Sequence, residues 1–240
     1  MNGVLNLTNR YNCLICGDEL EYFDESKEME CYFCKKKFMS NASCKSGHYV
    51  CDSCHSLGAF EIIKEYCLNA NSVNPMEMAI DIMKHPAIKM HGPEHHYLVP
   101  AVLVTAYINK TGENEKLERL LNEASKRAKN VLGGFCGFYG ACGAAVGTGI
   151  YISLVLGASP LSEEKWGLTN LMTSRSLEKI ASFGGPRCCK RDTCLAIETA
   201  IEFTKNNLKV ELDNINNLKC SFNKMNDQCL KDKCKFYSKV

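Results

Sequence analysis

The sequence predicts a mainly α protein: a small N-terminal zinc-ribbon or treble-clef-like module, then an all-helical domain, then a short cysteine-bearing C-terminal tail. Three observations predict it. Seven of the 16 cysteines lie before residue 56 at metal-ligand spacing, helical periodicity begins near Leu57, and a polar tail carries three more cysteines. These shifts in texture divide the chain into residues 1–56, 57–208 and 209–240.

The first segment has few apolar runs and only short alternating stretches, Glu19 to Phe23 and Lys37 to Met39, so metal rather than a hydrophobic core must hold it together. Cys13, Cys16, Cys31 and Cys34 form two C-x2-C pairs, a spacing that lets both sulfurs of a pair reach one tetrahedral ion. Cys44, His48, Cys51 and Cys54 supply four further ligands. Eight ligands imply two zinc ions, loaded either in sequence order or cross-braced; spacing does not choose between them. Cys51 to His55 also match the C-x-x-C-H haem-attachment pattern, but both cysteines already serve a tetrad. Zinc held by four protein ligands has no open position, so this module is expected to dock a partner or brace the next domain.

Phe60, Ile63 and Cys67 share a helical face, and Asn74, Pro75 and Glu77 read as cap, first turn and capping-box acid of a helix ending near Lys84. Further helices are expected near 94–109, 114–131, 141–156, 168–182 and 192–206, with a kink or restart at Pro100. No charge occurs between Lys129 and Glu163, but seven glycines from Gly133 to Gly149 interrupt that stretch, which therefore reads as a buried helix rather than a membrane span.

His91, Glu94, His95 and His96 crowd six residues at a helix start. Imidazole binds borderline metals and titrates near neutrality, so His91 and His96 are candidate metal ligands, with Glu94 and His95 as candidate proton carriers. The glycine-rich stretch holds Cys136 and Cys142. Thiols near helix starts feel unpaired amides, which favours thiolate, and Gly143 and Gly147 leave room for another helix or a cofactor. Cys188 and Cys189 lie among Arg187, Lys190 and Arg191, whose charges are expected to lower the thiol pKa and hold an anionic group. Cys194 is a further ligand candidate. Cys220, Cys229 and Cys234, with a fourth ligand from elsewhere, would pin the tail through zinc or an iron–sulfur cluster.

The combination of GHYVCDSCH, MHGPEHHYLVP, CGFYGACGAAVGTGI and GGPRCCKR resembles, over nearly the full chain, an uncharacterised cysteine-rich domain family of anaerobes. Its members sometimes adjoin methyltransferase-like or radical-S-adenosylmethionine domains, and the resemblance implies no named activity. The element from Cys142 to Gly147 is also similar to a redox-active family with a Cys-Gly-Cys-Ala signature, although Ala144 stands in place of its second cysteine.

A net charge of +2, from 29 basic and 27 acidic residues, provides no global field for nucleic acid or an anionic membrane. A protein partner or a small anionic substrate fits better. The N-terminus lacks a basic-then-apolar secretory pattern, so a cytoplasmic setting is expected, where clustered cysteines are ligands or reactive thiols rather than disulfides. The resulting expectation is a metal- or thiol-dependent enzyme or enzyme component for redox, sulfur-transfer or one-carbon chemistry. Its rival is a non-catalytic zinc-module adaptor.

Overall fold

A computed structural model describes residues 13, 15, 16, 18–51, 54 and 58–239. The N-terminal dodecapeptide and His55 of the haem-like pattern lie outside the described residues. The chain begins with an antiparallel hairpin of β1 (Leu20–Glu30) and β2 (Lys37–Cys44), paired from Leu20 opposite Cys44 to Glu30 opposite Lys37, with an irregularity between Tyr22 and Lys27. Most of its side chains are at least partly exposed, so the strands alone bury too little to be stable.

Among the described residues eight α-helices follow: α1 (Ala59–Asn69), α2 (Pro75–Met83), α3 (Glu94–Thr111), α4 (Leu117–Ala128), the single-turn α5 (Phe135–Phe138), α6 (Gly143–Leu156), α7 (Glu163–Ala181) and α8 (Cys189–Phe203). The cap read from sequence forms, with Asn74 Oδ1 accepting from Glu77 N at 3.1 Å. The Glu77 carboxylate takes Ser72 Oγ instead of closing the reciprocal half of the box. α4 is one-sided: Leu117, Leu120, Leu121, Ala124 and Ala128 are buried and the intervening charges face outward.

The centre of the domain is α3 packed on α6, with α1, α4, α7 and α8 around them. Every residue of α3 from Glu94 to Ala106 is buried, so it shows no amphipathic stripe. It does not restart at Pro100 but runs through it to Thr111. A proline in mid-helix removes the bond to the carbonyl four residues back, here His96 O. Gly147 of α6 is packed against both, for a Cβ added there would stand 2.9 Å from Pro100 Cδ and 3.1 Å from His96 O. α6 is a fourteen-residue buried helix, and no helix among the described residues is long and apolar enough to cross a membrane.

The tail after α8 is irregular but anchored. Phe222 and Phe236 are buried, and Cys220 N donates to Phe236 O at 2.7 Å. The hairpin module is joined to the helices through α2: Tyr32 Oη donates to Asp81 at 2.9 Å, Phe33 packs edge-on against His85 at 4.3 Å, and the His85 ring bonds Cys54 O at 3.1 Å. His85 therefore belongs to this joint and not to the histidine cluster that follows it in sequence.

Candidate metal centres and a thiol cleft

The hairpin separates its eight ligands into two sets. Cys13, Cys16, Cys44 and His48 gather at the end where Leu20 pairs with Cys44, and Cys31, Cys34, Cys51 and Cys54 gather where Glu30 pairs with Lys37. Within each set all donor atoms lie within 4.8 Å of one another. First and third ligand pairs share one site and second and fourth share the other, so the arrangement is cross-braced rather than sequential. Local turns shape both. Cys31 N bonds Lys36 O at 2.9 Å, with Lys35 in a left-handed conformation, and Cys44 N bonds His48 O at 3.0 Å around Gly47. Backbone amides point at the sulfurs: His48 N to Cys44 Sγ at 3.2 Å and Cys51 N to Cys31 Sγ at 3.4 Å.

The spacing fits a tetrahedral ion. A metal–sulfur bond of about 2.3 Å gives a sulfur–sulfur edge of about 3.8 Å. Cys16 and Cys44 are 3.8 Å apart, and Cys34 and Cys51 are 3.9 Å apart. Each set can therefore hold one metal ion.

The histidine cluster does different work from that expected. His95 is fully buried with both ring nitrogens engaged, at 3.0 Å to Thr193 Oγ1 and 3.0 Å to Lys89 O, and burial holds it neutral, down to about 3. It ties α3 to α8. Glu94 accepts Lys89 N at 2.7 Å and closes the loop before α3. His96 donates to Val131 O at 2.8 Å, and its ring occupies the space a Cβ on Gly143 would need, at 2.1 Å. His96 is thus a packing residue, and Gly143 and Gly147 accommodate α3 rather than a cofactor. His91 alone keeps a buried Nδ1 with no hydrogen-bond partner.

The C-terminal cysteines converge. Cys188 and Cys194 of the α8 segment and Cys220, Cys229 and Cys234 of the tail line one cavity, together with Lys190, Arg191 and Asn226. Its atom-free space, mouth included, is about 550 Å³. Asn226 Nδ2 donates to Cys188 Sγ at 3.4 Å, Phe222 N to Cys220 Sγ at 3.3 Å and Lys231 N to Cys229 Sγ at 3.4 Å. Lys190 is buried with Nζ on two carbonyls, Met83 O at 2.6 Å and Ile88 O at 3.3 Å, and stands 4.2 Å from the Phe222 ring centre. Burial lowers it to about 8.

Cys189, next in sequence to Cys188, belongs to another place. It is not among the residues lining that cavity, and after burial the Asp192 carboxylate raises its thiol as it raises that of Cys142. Cys136, Cys142, Asp192, Arg187 and Arg191 line an open cleft of about 1060 Å³, mouth included. Arg191 is committed: Nε donates to Asp192 Oδ1 at 2.9 Å and Nη2 to Gly184 O at 3.0 Å, while Nη1 is buried without a partner. The expected lowering of thiol pKa is reversed. Burial pushes Cys142 up to about 12 and Cys188 up to about 11, and also raises Cys189 and Cys194, outweighing nearby amides and Arg side chains. Thiols so placed lose their protons to a metal more readily than to water. Cys67 gives the contrast: equally raised, to about 12, but enclosed by the apolar core with no second thiol beside it among the described residues.

Two contributors escaped the sequence reading. Asp192, three residues after Cys189 on α8, looks like an ordinary first-turn acid complementing the helix dipole, and Asn226 lies in a tail without periodicity.

Fold and sites together define a cysteine-rich helical protein with an N-terminal hairpin whose two cross-braced ligand sets could each hold a metal ion, and with a second gathering of cysteines around α8. The chain belongs to DUF5714, a family of unknown function, whose model matches residues 63–237. That span contains every residue of the cavity and cleft and none of the hairpin ligands. No curated protein and no solved structure matches the chain.

Proposed function

We propose that this protein is a metal- and thiol-dependent redox enzyme component, with zinc in the two hairpin tetrads and an iron–sulfur cluster in the cavity between α8 and the tail. The observation that carries the reading is the convergence of five cysteines, from segments up to 46 residues apart, on one largely apolar cavity. Cys220, Cys229 and Cys234 supply three ligands, and α8 supplies the fourth from Cys188 or Cys194. Among the described residues, only the two hairpin sets bring three or more donor atoms within 4.8 Å of one another. The cavity thiols stand wider, as they must when each binds a different iron of a cluster rather than one shared ion. N–H donors on three of the sulfurs stabilise thiolate and tune a cluster potential. Lys190 offsets cluster charge from inside the protein, where it has no carboxylate within ion-pair distance among the described residues.

Anaerobic purification followed by iron, acid-labile sulfide and zinc analysis tests the reading. The expected result is a brown protein with two zinc ions, whose iron, sulfide and visible absorption are lost in Cys220→Ser, Cys229→Ser and Cys234→Ser while the zinc stays. A colourless protein containing zinc alone would overturn the redox reading in favour of an adaptor.

A further inference from the structure

The two ligand sets of the hairpin differ in their access to solvent. We propose that Cys16 is an oxidation site: in the zinc-loaded protein its sulfur reacts with a peroxide, Cys44 closes a disulfide onto it, and one of the two zinc ions is released. The proposal rests on zinc occupying the hairpin tetrads and goes beyond that reading by giving the two sets different chemistry.

Among the described residues, which include all 16 cysteines, Cys16 is the only exposed one; eight others are buried and seven are half-buried. The contrast is sharpest between the tetrads. Cys31, Cys34, Cys51 and Cys54 are each between 0% and 3% exposed and share a buried cluster with Phe33 and Ile62. In the other set Cys13 and Cys44 are buried, His48 is half-buried and Cys16 faces solvent. A reagent from solution therefore reaches a ligand sulfur at Cys16 and none in the second set. Four protein ligands close a zinc ion to substrate, but they do not shield a sulfur that lies on the surface.

Two further features turn exposure into reactivity. Ligation to zinc holds the Cys16 sulfur as a thiolate at neutral pH, the form that a peroxide oxidises. A resolving thiolate is also in place, for Cys44 Sγ lies 3.8 Å from Cys16 Sγ although the two residues are 28 apart in sequence. The hairpin brings them together, since Cys44 ends β2 opposite Leu20. A disulfide needs the sulfurs at about 2 Å, less than 2 Å closer than they already stand.

The Cys16 thiolate attacks one oxygen of hydrogen peroxide, the O–O bond breaks and hydroxide leaves, so the sulfur becomes a sulfenic acid. The Cys44 thiolate then attacks that sulfur, and the S–O bond breaks with loss of a second hydroxide. The two sulfurs supply two electrons, peroxide accepts both, and two protons from solvent convert the hydroxides to water. Only Cys13 and His48 of this set then remain as ligands, too few to hold the ion. The second set is untouched and keeps the hairpin joined to α2 through Phe33, His85 and Cys54 O.

The test treats the intact, zinc-loaded protein with a small excess of hydrogen peroxide, following zinc release with a chromogenic chelator and mapping cysteine modification by peptide mass spectrometry. Zinc content is measured first, and fewer than two ions would overturn the tetrad reading and this proposal with it. From two ions, one should be released at least tenfold faster than the other, with a Cys16–Cys44 disulfide as the accompanying product. Dithiothreitol and added zinc should restore both ions. Cys16→His, which keeps a zinc ligand and removes the oxidisable sulfur, should hold two zinc ions and release neither at the same dose. If that variant does not hold its zinc, the disulfide mapped in the wild type decides alone. Both ions lost at equal rates, no zinc released, or an accompanying disulfide without Cys16 would overturn the proposal while leaving the tetrads in place. Iron is read separately, so damage to the cluster in the tail cavity is not counted as zinc release.

Discussion

The hairpin and the surroundings of α8 both concentrate cysteine, yet they use it in opposite ways. In the hairpin the two members of each ligand pair are close in sequence, the sulfurs stand at tetrahedral spacing, and backbone amides address them. Around α8 the sulfurs come from distant segments, stand wider and line a cavity and a cleft with charged groups in their walls. Short-range spacing thus produces closed sites that hold a fold together. Long-range convergence on a stable helical scaffold produces sites with room for a larger group or a substrate.

The largest expected effect separates the two regions. Structural thiolate zinc sites bind with roughly 10–16 kcal/mol, and the hairpin buries too little to fold without that contribution. A tight chelator at neutral pH is expected to collapse the hairpin and dissolve the Phe33–His85 contact while the far-UV helical signal persists. Simultaneous loss of helix would break the comparison.

A second perturbation acts on the helical side only. A Cβ on Gly143 meets the His96 ring at 2.1 Å, and that ring is fixed by its bond to Val131 O. Gly143→Ala should cost about 1–3 kcal/mol and lower Tm by several degrees, with zinc content unchanged.

Acid should act on the same side through His95. Its folded pKa, about 3, lies below the ordinary value of 6.5, so the unfolded chain takes up a proton that the folded one refuses. The stabilisation is present above pH 6.5 and is lost as pH falls towards 3, at no more than about 1.4 kcal/mol per pH unit. Denaturant midpoints measured between pH 7 and 5.5 should fall more steeply in the wild type than in His95→Gln; equal slopes would show that His95 is not the group responsible.

The smallest effect sharpens the link between the regions. Asn74→Ala removes the cap of α2, the helix whose Asp81 meets the hairpin. It should cost about 1 kcal/mol and leave both tetrads metal-loaded, as differential scanning calorimetry with metal analysis would show.

Much of this was legible beforehand because it is local. The C-x2-C pairs, the cap at Asn74 and the buried uncharged helix after Cys142 follow from spacing, propensity and charge within a few residues. The start of α8 is less local: it lies at Cys189, three residues before the helix expected near 192–206. In the fold, Lys190 and Arg191 are buried on carbonyl and carboxylate oxygens, and a helix can form through them. The surroundings of the histidine cluster are not local either: His95 bonds Thr193 and Lys89 O, and His96 bonds Val131 O, because α3 is enclosed and its buried rings meet groups from other segments.

The sequence by itself therefore determined which eight N-terminal residues could hold metal and that the chain is helical after its first quarter. Tertiary structure alone decided which ligands share a site. Cross-bracing depends on the hairpin bringing its third pair back to its first, and at the start of α8 Cys188 enters the tail cavity while the adjacent Cys189 does not. The physical reason is that side-chain direction at a helix start changes by a large angle from one residue to the next, so neighbours in sequence face different walls once the helix is packed.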